Sequence, residues 1–600
     1  MEKILLVSNK DNVAIGFQDL PFKSILSING HNIEAQENIP AKHKISLVDL
    51  KSFNKIFMYC MDVDQARLPI PKGSLLTTEN VMHSAGNYSI PELPISDNQF
   101  EEKQKVTDKV FEGYLREDVQ VGTANYWIFI PLVFCQNRNI SILKDAFEAA
   151  LGYKKENPYK LQLMNLIYGD NGIEVLGQEY SFVEPLFQNI DGLKFLAHEG
   201  GCGGTREYSK LLVKLLSGYI KNPNVAGATI LSLGCQHAQF RLLEEELNLK
   251  NNSKKILFFE QQQFETENKM LSEAVLETFQ ELKKVNNVHR VKAPLSKLSI
   301  GMECGGSDGF SGIPANLLMG IVADKVTALG GKIILSEFPE LCGVEQNIIN
   351  RCANNPVAEK FVRLMENYNN RAKATGSGFD MNPSPGNINY GLITDAIKSA
   401  GAATKGGKGQ VNDVLDYGEY AVTPGLNLLC TPGNDVESTP GLAGAGANII
   451  LFSTGLGTPT GNPVCPVIKI SSNSKLKNKM TDIIDFDAGR IISEGADPYK
   501  LADELLELVI KVASGTRKPV PEFCNRMILY PGKEGFLYKI FMKQIFNLEG
   551  KTAIVTGGAS GIGKAISEKF IEHGGFVIIL EYDDSKIANF HEEHRSGYEF

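Results

Sequence analysis

At 600 residues the chain is too long for one hydrophobic core, so two to four domains are expected. Its 43% hydrophobic and 22% charged content is that of an ordinary globular protein, and a formal net charge of −9 argues against a nucleic-acid partner, which would select a basic face. No apolar run approaches the roughly 20 residues that cross a bilayer, and residues 1–7 lack the apolar stretch and cleavage site of a secretory leader.

Residues 1–85 read as a small β-rich module. Short strand-like runs at 3–7, 12–17, 44–47 and 55–59 stand between clusters of Pro, Asn, Gly and Lys. A polar stretch without sustained periodicity follows, and 86–110 is assigned as a linker. From about residue 122 the texture changes: buried-type strands alternate with helical patterns, the signature of an α/β fold with mostly parallel sheets. Strands are predicted at 125–134, 192–197, 226–233, 255–259, 298–302, 332–335, 426–430 and 447–453. This large body divides into 111–370 and 371–535. A new strand–turn–helix–strand unit occupies 547–600.

Four predicted strands run into small residues and functional side chains. They give His198-Glu199-Gly200-Gly201-Cys202, Leu233-Gly234-Cys235, Glu303-Cys304-Gly305-Gly306-Ser307-Asp308 and Asn382-Pro383-Ser384-Pro385-Gly386-Asn387. Ligands in open α/β sheets bind beyond the carboxyl ends of strands, so the chemistry is expected at these turns. Ten cysteines with no CxxC pair are too sparse for a disulfide framework, so reduced thiols and a cytoplasmic location are expected.

With these motifs in view, residues 1 to about 540 resemble the altronate and galactarate dehydratase family, which joins a small SAF-type module to a large catalytic body. The matching stretches include Glu303 to Asp308, Leu335-Ser336-Glu337 with Pro339-Glu340, Asn382 to Asn387, Gly406-Gly407, Thr431-Pro432-Gly433, and Pro40-Ala41-Lys42-His43-Lys44 in the module. The resemblance implies a hydro-lyase that takes water from a sugar acid to leave a 2-keto-3-deoxy acid, with a divalent metal of the iron type. A base, an acid and a stabiliser for the enediolate are then needed. His198, Glu303, Asp308 and Glu337 are the candidate catalytic groups; Asn382, Ser384, Asn387 and Lys405 are the candidate substrate contacts. Glu340 reads as a solvated surface group. Cys135, Cys202, Cys235 and Cys304 coincide with family cysteines, and convergent thiolates suit soft metals or an iron–sulfur cluster. A small-molecule sugar acid is the expected partner, with no membrane partner; a homo-oligomer is left open.

The chain departs from the family pattern at two places. Leu75, Thr77 and Glu79 stand where the family carries an HxHxH run, and Gln120 and Ala124 stand where it carries arginines. Two alternatives to the dehydratase follow: another β-elimination on a hydroxy acid, of the sulfolactate type, or a non-catalytic homologue that binds a sugar acid.

Thr552 to Lys564, with Gly557, Gly561 and Gly563, reads as strand, glycine turn and helix start, and a second strand ends at Glu581. This resembles the opening of the short-chain dehydrogenase/reductase family and implies an NAD(P) site. A half-sheet is not expected to hold a dinucleotide well, and the sequence stops at Phe600 before the catalytic Ser and Tyr-x-x-x-Lys of that family. Met542 stands just ahead of the unit, so two neighbouring reading frames joined end to end are expected.

Overall fold

The computed structural model describes residues 3–28, 31–84, 88–92, 109–154, 157–167, 184–203, 206–248, 254–374, 376, 378–379, 382–523, 548 and 550–587. Most of the predicted linker at 86–110, and Met542, lie outside the described residues. The chain forms two units, residues 1–370 with 378–532, and 371–377 with 533–600. Among the described residues no helix is long and apolar enough to cross a membrane.

The first unit opens with the β module. Its strands are β1 (Ile4–Leu5), β2 (Val13–Gly16), β3 (Ile25–Ile28), β4 (His31–Glu34), β5 (Lys44–Ser46), β6 (Lys55–Met58), β7 (Met61–Ala66) and β8 (Val81–His83), paired as β1-β2-β5, β3-β4 and β6-β7-β8, all antiparallel. Ala14, Leu26, Ile33, Ile39 and Ile45 make a small core of their own. Between β6 and β7, Tyr59 and Cys60 take left-handed φ of 57° and 65°, and both of their amides donate to the Asp11 carboxylate. That clamp aims the Tyr59 hydroxyl at Gly312 of the body, where a Cβ would lie 2.3 Å from it.

The body contains two parallel sheets. A short antiparallel sheet of β9 (Val110–Leu115), β10 (Val121–Gly122) and β15 (Val291–Pro294) flanks them. The first parallel sheet holds β11 (Tyr126–Pro131), β12 (Gly192–Phe195), β13 (Val225–Ser232) and β14 (Lys255–Glu260) in the order β12-β11-β13-β14. Alternation along β11 shows why its run is continuously apolar. Trp127 and Phe129 pack with Leu143, Phe147 and Met270 on one side; Tyr126, Ile128 and Ile130 pack with Leu212 and Leu216 on the other.

The second sheet has seven parallel strands, ordered β18-β19-β17-β16-β20-β21-β22. These are β16 (Ser299–Cys304), β17 (Lys332–Leu335), β18 (Val411–Leu415), β19 (Gly425–Leu429), β20 (Ile449–Thr454), β21 (Val467–Ser471) and β22 (Phe486–Asp487). The sheet draws strands from both sides of residue 370, so the division placed there does not separate two sheets. Chain order runs outward from β16 through β17 and then resumes on its other side with β20, a topological switch that opens a crevice at the carboxyl end of β16. Glu303 and Cys304 close that strand.

In the second unit, β23 (Thr552–Thr556) and β24 (Phe576–Leu580) pair in parallel around the helix Gly561–Glu572. A Cβ on Gly563 would sit 2.1 Å from the Gly557 carbonyl, so only glycine permits the helix start to lie this close to the turn.

Candidate active site

The crevice gathers side chains from three strand ends and one helix. Glu303 and Cys304 come from β16, and Ser336, Glu337 and Glu340 from the turn after β17. Asp435 follows β19, Lys398 lies within the helix Asp395–Ala403, and Lys405 lies in the turn just after it. Glu337 has φ 70° and ψ 75°, a left-handed conformation that turns its carboxyl back over β16, and its amide donates to Thr431 Oγ1 at 2.9 Å.

Hydrogen bonds sort the three glutamates. Ser336 Oγ donates to Glu303 Oε2 at 2.6 Å. Glu340 receives Lys398 Nζ at 3.0 Å, Lys405 Nζ at 3.2 Å and the Cys304 thiol at 3.0 Å. Lys405, fully buried, also lies 2.8 Å from Cys304 Sγ and 3.6 Å from Glu337 Oε2. Glu303 Oε1 and Glu337 Oε2 are buried without a hydrogen-bond partner, and an oxygen of each carboxyl lies within 4.8 Å of the other.

The surroundings push these groups apart. Burial raises Glu303 to about 7, with Lys405 opposing the rise. Burial and the neighbouring Glu303 and Glu340 drive Glu337 well above the carboxylate range. At Glu340 burial works the same way, but Lys398 and Lys405 overcome it and hold the group at about 2. Burial lifts the Cys304 thiol to about 12, so it stays protonated. Lys405 is raised well above its ordinary value against its own burial, and Glu340 is the ionised neighbour that holds its proton. Neutral acid, ionised acid and buried cation thus sit together, the arrangement that separates proton donors from proton acceptors.

Asp308 belongs to the same wall. Lys42 of the β module reaches it at 2.6 Å, and Ser311 and Ser472 each donate to its Oδ1 at 3.0 Å. A small cavity lined by Tyr59, Cys304, Ser307, Ser311, Asn316 and Lys398 lies between module and body beside these groups. A larger open groove elsewhere carries Lys360, already paired with Glu419 at 3.0 Å, and none of the groups described above.

Of the residues chosen from sequence, Glu303, Glu337, Lys405 and Cys304 meet directly. Asn382 Oδ1 accepts from Lys398 Nζ at 2.7 Å, and Asn387 Nδ2 donates to the Ser307 carbonyl at 2.8 Å. Ser384 and Asn387 form a reciprocal cap on the helix Pro385–Asn389. His198 is elsewhere: its Nε2 donates to the Pro131 carbonyl at 2.6 Å, its Nδ1 accepts from Gly200 N at 3.1 Å, and burial depresses it to about 4. Cys135, Cys202 and Cys235 are exposed beyond the ends of the adjacent strands β11, β12 and β13, whereas Cys304 is buried in the other sheet. The four cysteines therefore do not form one group.

Glu340 is buried, not solvated, because two ammonium groups from distant parts of the chain neutralise it. Lys398, Asp435 and Lys42 were not singled out. A Lys one helical turn from a small-residue stretch carries no signal of its own; only the fold brings it to Glu340.

In the second unit, Gly557 and Gly561 take φ of 68° and 54° in the turn, and Glu581 follows the end of β24.

Comparison with known proteins gives matches along nearly the whole chain. Residues 2–84 match the family described as altronate/galactarate dehydratase SAF domain. Residues 113–286 match D-galactarate dehydratase/altronate hydrolase, second domain, and 295–533 match D-galactarate/altronate dehydratase, C-terminal. Residues 551–599 match short chain dehydrogenase. The chain is 31% identical over 516 residues to an altronate dehydratase of Bacillus subtilis (strain 168), covering 86% of this chain and 96% of that protein. It is 30% identical to an altronate dehydratase of Escherichia coli (strain K12), covering 84% and 94%. A (2R)-sulfolactate sulfo-lyase subunit beta of Chromohalobacter salexigens is 32% identical over 234 residues, 38% of this chain and 60% of that protein.

Proposed function

The chain belongs to the altronate/galactarate dehydratase family, and from that premise we propose that it removes water from a sugar acid such as altronate or galactarate, giving a 2-keto-3-deoxy acid in the cytoplasm. The observation that carries this reading is the Glu303–Glu337–Glu340 cluster, where one buried carboxyl holds its proton, one titrates at about 7 and one is ionised.

Elimination of water beside a carboxylate needs three things at once: a base for the α-proton, an acid for the leaving hydroxyl, and positive charge for the enediolate. Lys398, which faces the cavity and is held by Glu340 and Asn382, anchors the substrate carboxylate. Glu303 is fixed through Oε2 by Ser336, which leaves Oε1 bare to take the proton. Glu337 Oε2 gives a proton to the departing 3-hydroxyl. Lys405 keeps its proton and balances Glu340, and Tyr59 of the β module walls the cavity beside these groups.

The residues also fit the divalent ion that the family resemblance implies. Glu303, Glu337 and Asp435 offer one oxygen each within 4.8 Å of one another, an all-oxygen set that would suit a hard or borderline cation with its carboxyls ionised. Such an ion would supply Lewis-acid stabilisation of the charge that develops on the substrate carboxylate. The exposed Cys135, Cys202 and Cys235 lie on a different sheet and are not part of this set.

A second reading has a specific observation behind it: the sulfolactate sulfo-lyase subunit shares 32% identity over its matching region. Elimination of sulfite begins with the same α-proton abstraction, so the same base would serve. The test is a panel of aldonates, aldarates and sulfolactate incubated with reduced, Fe²⁺-supplemented protein. A 2-keto-3-deoxy acid from an aldonate or aldarate supports the first reading; sulfite release from sulfolactate alone replaces it with the second.

A further inference from the structure

A second set of ligating side chains meets where the β module abuts the body. Asp64 on β7 and His83 on β8 are paired directly across the antiparallel ladder, so their side chains stand on one face. The helix Asp395–Ala403 begins opposite that face. His83 Nδ1 lies 2.7 Å from Asp395 Oδ1, and the capping hydroxyl of Thr394 donates to Asp64 Oδ2 at 2.6 Å. Cys342, a buried free thiol, faces both Asp395 and Glu345. The ligand atoms of His83, Cys342 and Asp395 all lie within 4.8 Å of one another.

Hydrogen bonding alone does not account for this cluster. Asp64 is completely buried and its Oδ1 has no hydrogen-bond partner, a costly state for a carboxyl oxygen. One imidazole stands against three carboxyl groups, Asp64, Asp395 and Glu345. The other cation that senses Asp64 is Lys44, whose ammonium is bound to the Gly391 carbonyl. Glu345 Oε2 is engaged by the Gly343 amide at 2.7 Å, so the bare oxygen beside the imidazole belongs to Asp64.

We propose that His83, Cys342 and Asp395 form a binding site for one divalent transition-metal ion of the zinc class, with the bare Asp64 carboxyl beside it, and that this ion clamps the β module to the body. Nitrogen, sulfur and carboxylate oxygen, with a fourth position left to water or Asp64, suit such an ion and disfavour magnesium or calcium. Binding replaces the thiol proton of Cys342, which leaves to solvent, and involves no change of oxidation state. Tetrahedral coordination separates ligand atoms by about 3.3 Å, so His83 and Asp395 part slightly to admit the ion. Cys342 lies two residues beyond Glu340, and Asp395 three residues before Lys398. The ion therefore pins both ends of the Glu340–Lys398 pair, separate from any ion at Glu303.

The test uses the full chain, stripped of metal with a chelator, reduced, and titrated with Co²⁺ and then Zn²⁺. The first equivalent of Co²⁺ is expected to give a thiolate-to-cobalt charge-transfer absorption that Zn²⁺ abolishes, and Zn²⁺ to raise the thermal midpoint. Cys342→Ser removes the absorption, and His83→Ala weakens binding by at least roughly a hundredfold. Cys352→Ser, which removes another buried thiol, changes neither. Should Cys342→Ser fail to fold, His83→Ala carries the comparison, since its ring is about one-third exposed. An absorption that persists in both variants, placing the ion at exposed thiols such as Cys135, overturns the proposal. So does a wild-type chain that takes up no Co²⁺ at one equivalent.

Discussion

Glu303 and Glu340 are the same residue type 37 positions apart, yet one titrates at about 7 and the other at about 2. The difference is the company each keeps: Glu340 has two ammonium groups, and Glu303 has a serine and another carboxyl. Glu303→Gln preserves shape and removes the base, so turnover is expected to fall by about 10²–10⁴-fold with substrate binding retained, as steady-state kinetics beside calorimetric binding would show. His198 makes a contrasting case. Its imidazole is buried neutral, with a folded value of about 4 against an unfolded 6.5. Its contribution is therefore complete above pH 6.5 and lost as pH falls toward 4, worth about 3 kcal/mol. His198→Gln is expected to flatten the fall of the urea midpoint between pH 6.5 and 4; an unchanged slope would show that the ring is not the titrating group. Sequence alone named Glu303 and Cys304 at a Gly-Gly turn after a strand, Glu337 directly after an apolar strand, and Lys405 beside Gly406-Gly407. It could not separate His198 from them, since a histidine at a strand end looks alike whether it faces substrate or backbone. Glu340 was misjudged because burial of a charge depends on partners that arrive from 58 and 65 residues away.

At the scale of elements, the apolar runs of both parallel sheets were legible, because strands covered on two faces stay hydrophobic throughout. Strands β18 and β21 were not, since Asn412, Asp413 and Lys469 interrupt them. Lys469 is buried with its ammonium over the Phe452 ring, so a charged residue lies inside a strand. Joining of the module to the body was also invisible, as it depends on single long-range pairs. Lys42 to Asp308 is such a pair, with Asp308 completely buried. Lys42→Ala strands that carboxylate and is expected to cost about 2–4 kcal/mol, seen as a lower denaturation midpoint. A midpoint within error of wild type would show that Ser311, Ser472 and the Phe310 amide suffice.

Across the whole molecule, the matches to the dehydratase family run from residue 2 to 533 and the match to short chain dehydrogenase from 551 to 599. The second unit leaves Ile554, Phe576, Ile578 and Leu580 more than 40% exposed on its two strands. Removal of residues 548–600 is expected to leave turnover unchanged within about twofold and to improve solubility, since exposed apolar patches promote association. Loss of activity on that deletion would make the dinucleotide-type unit part of the enzyme. The central claim is that the cluster at the carboxyl end of β16 dehydrates a sugar acid, and its most direct test is proton NMR of altronate and galactarate incubated with the protein in D₂O. Wild type is expected to yield a 2-keto-3-deoxy acid carrying one deuterium at C3, and Glu303→Gln to form it at least about 10²-fold more slowly. Equal product from Glu303→Gln and wild type, or no product from wild type that demonstrably binds these acids, would contradict it.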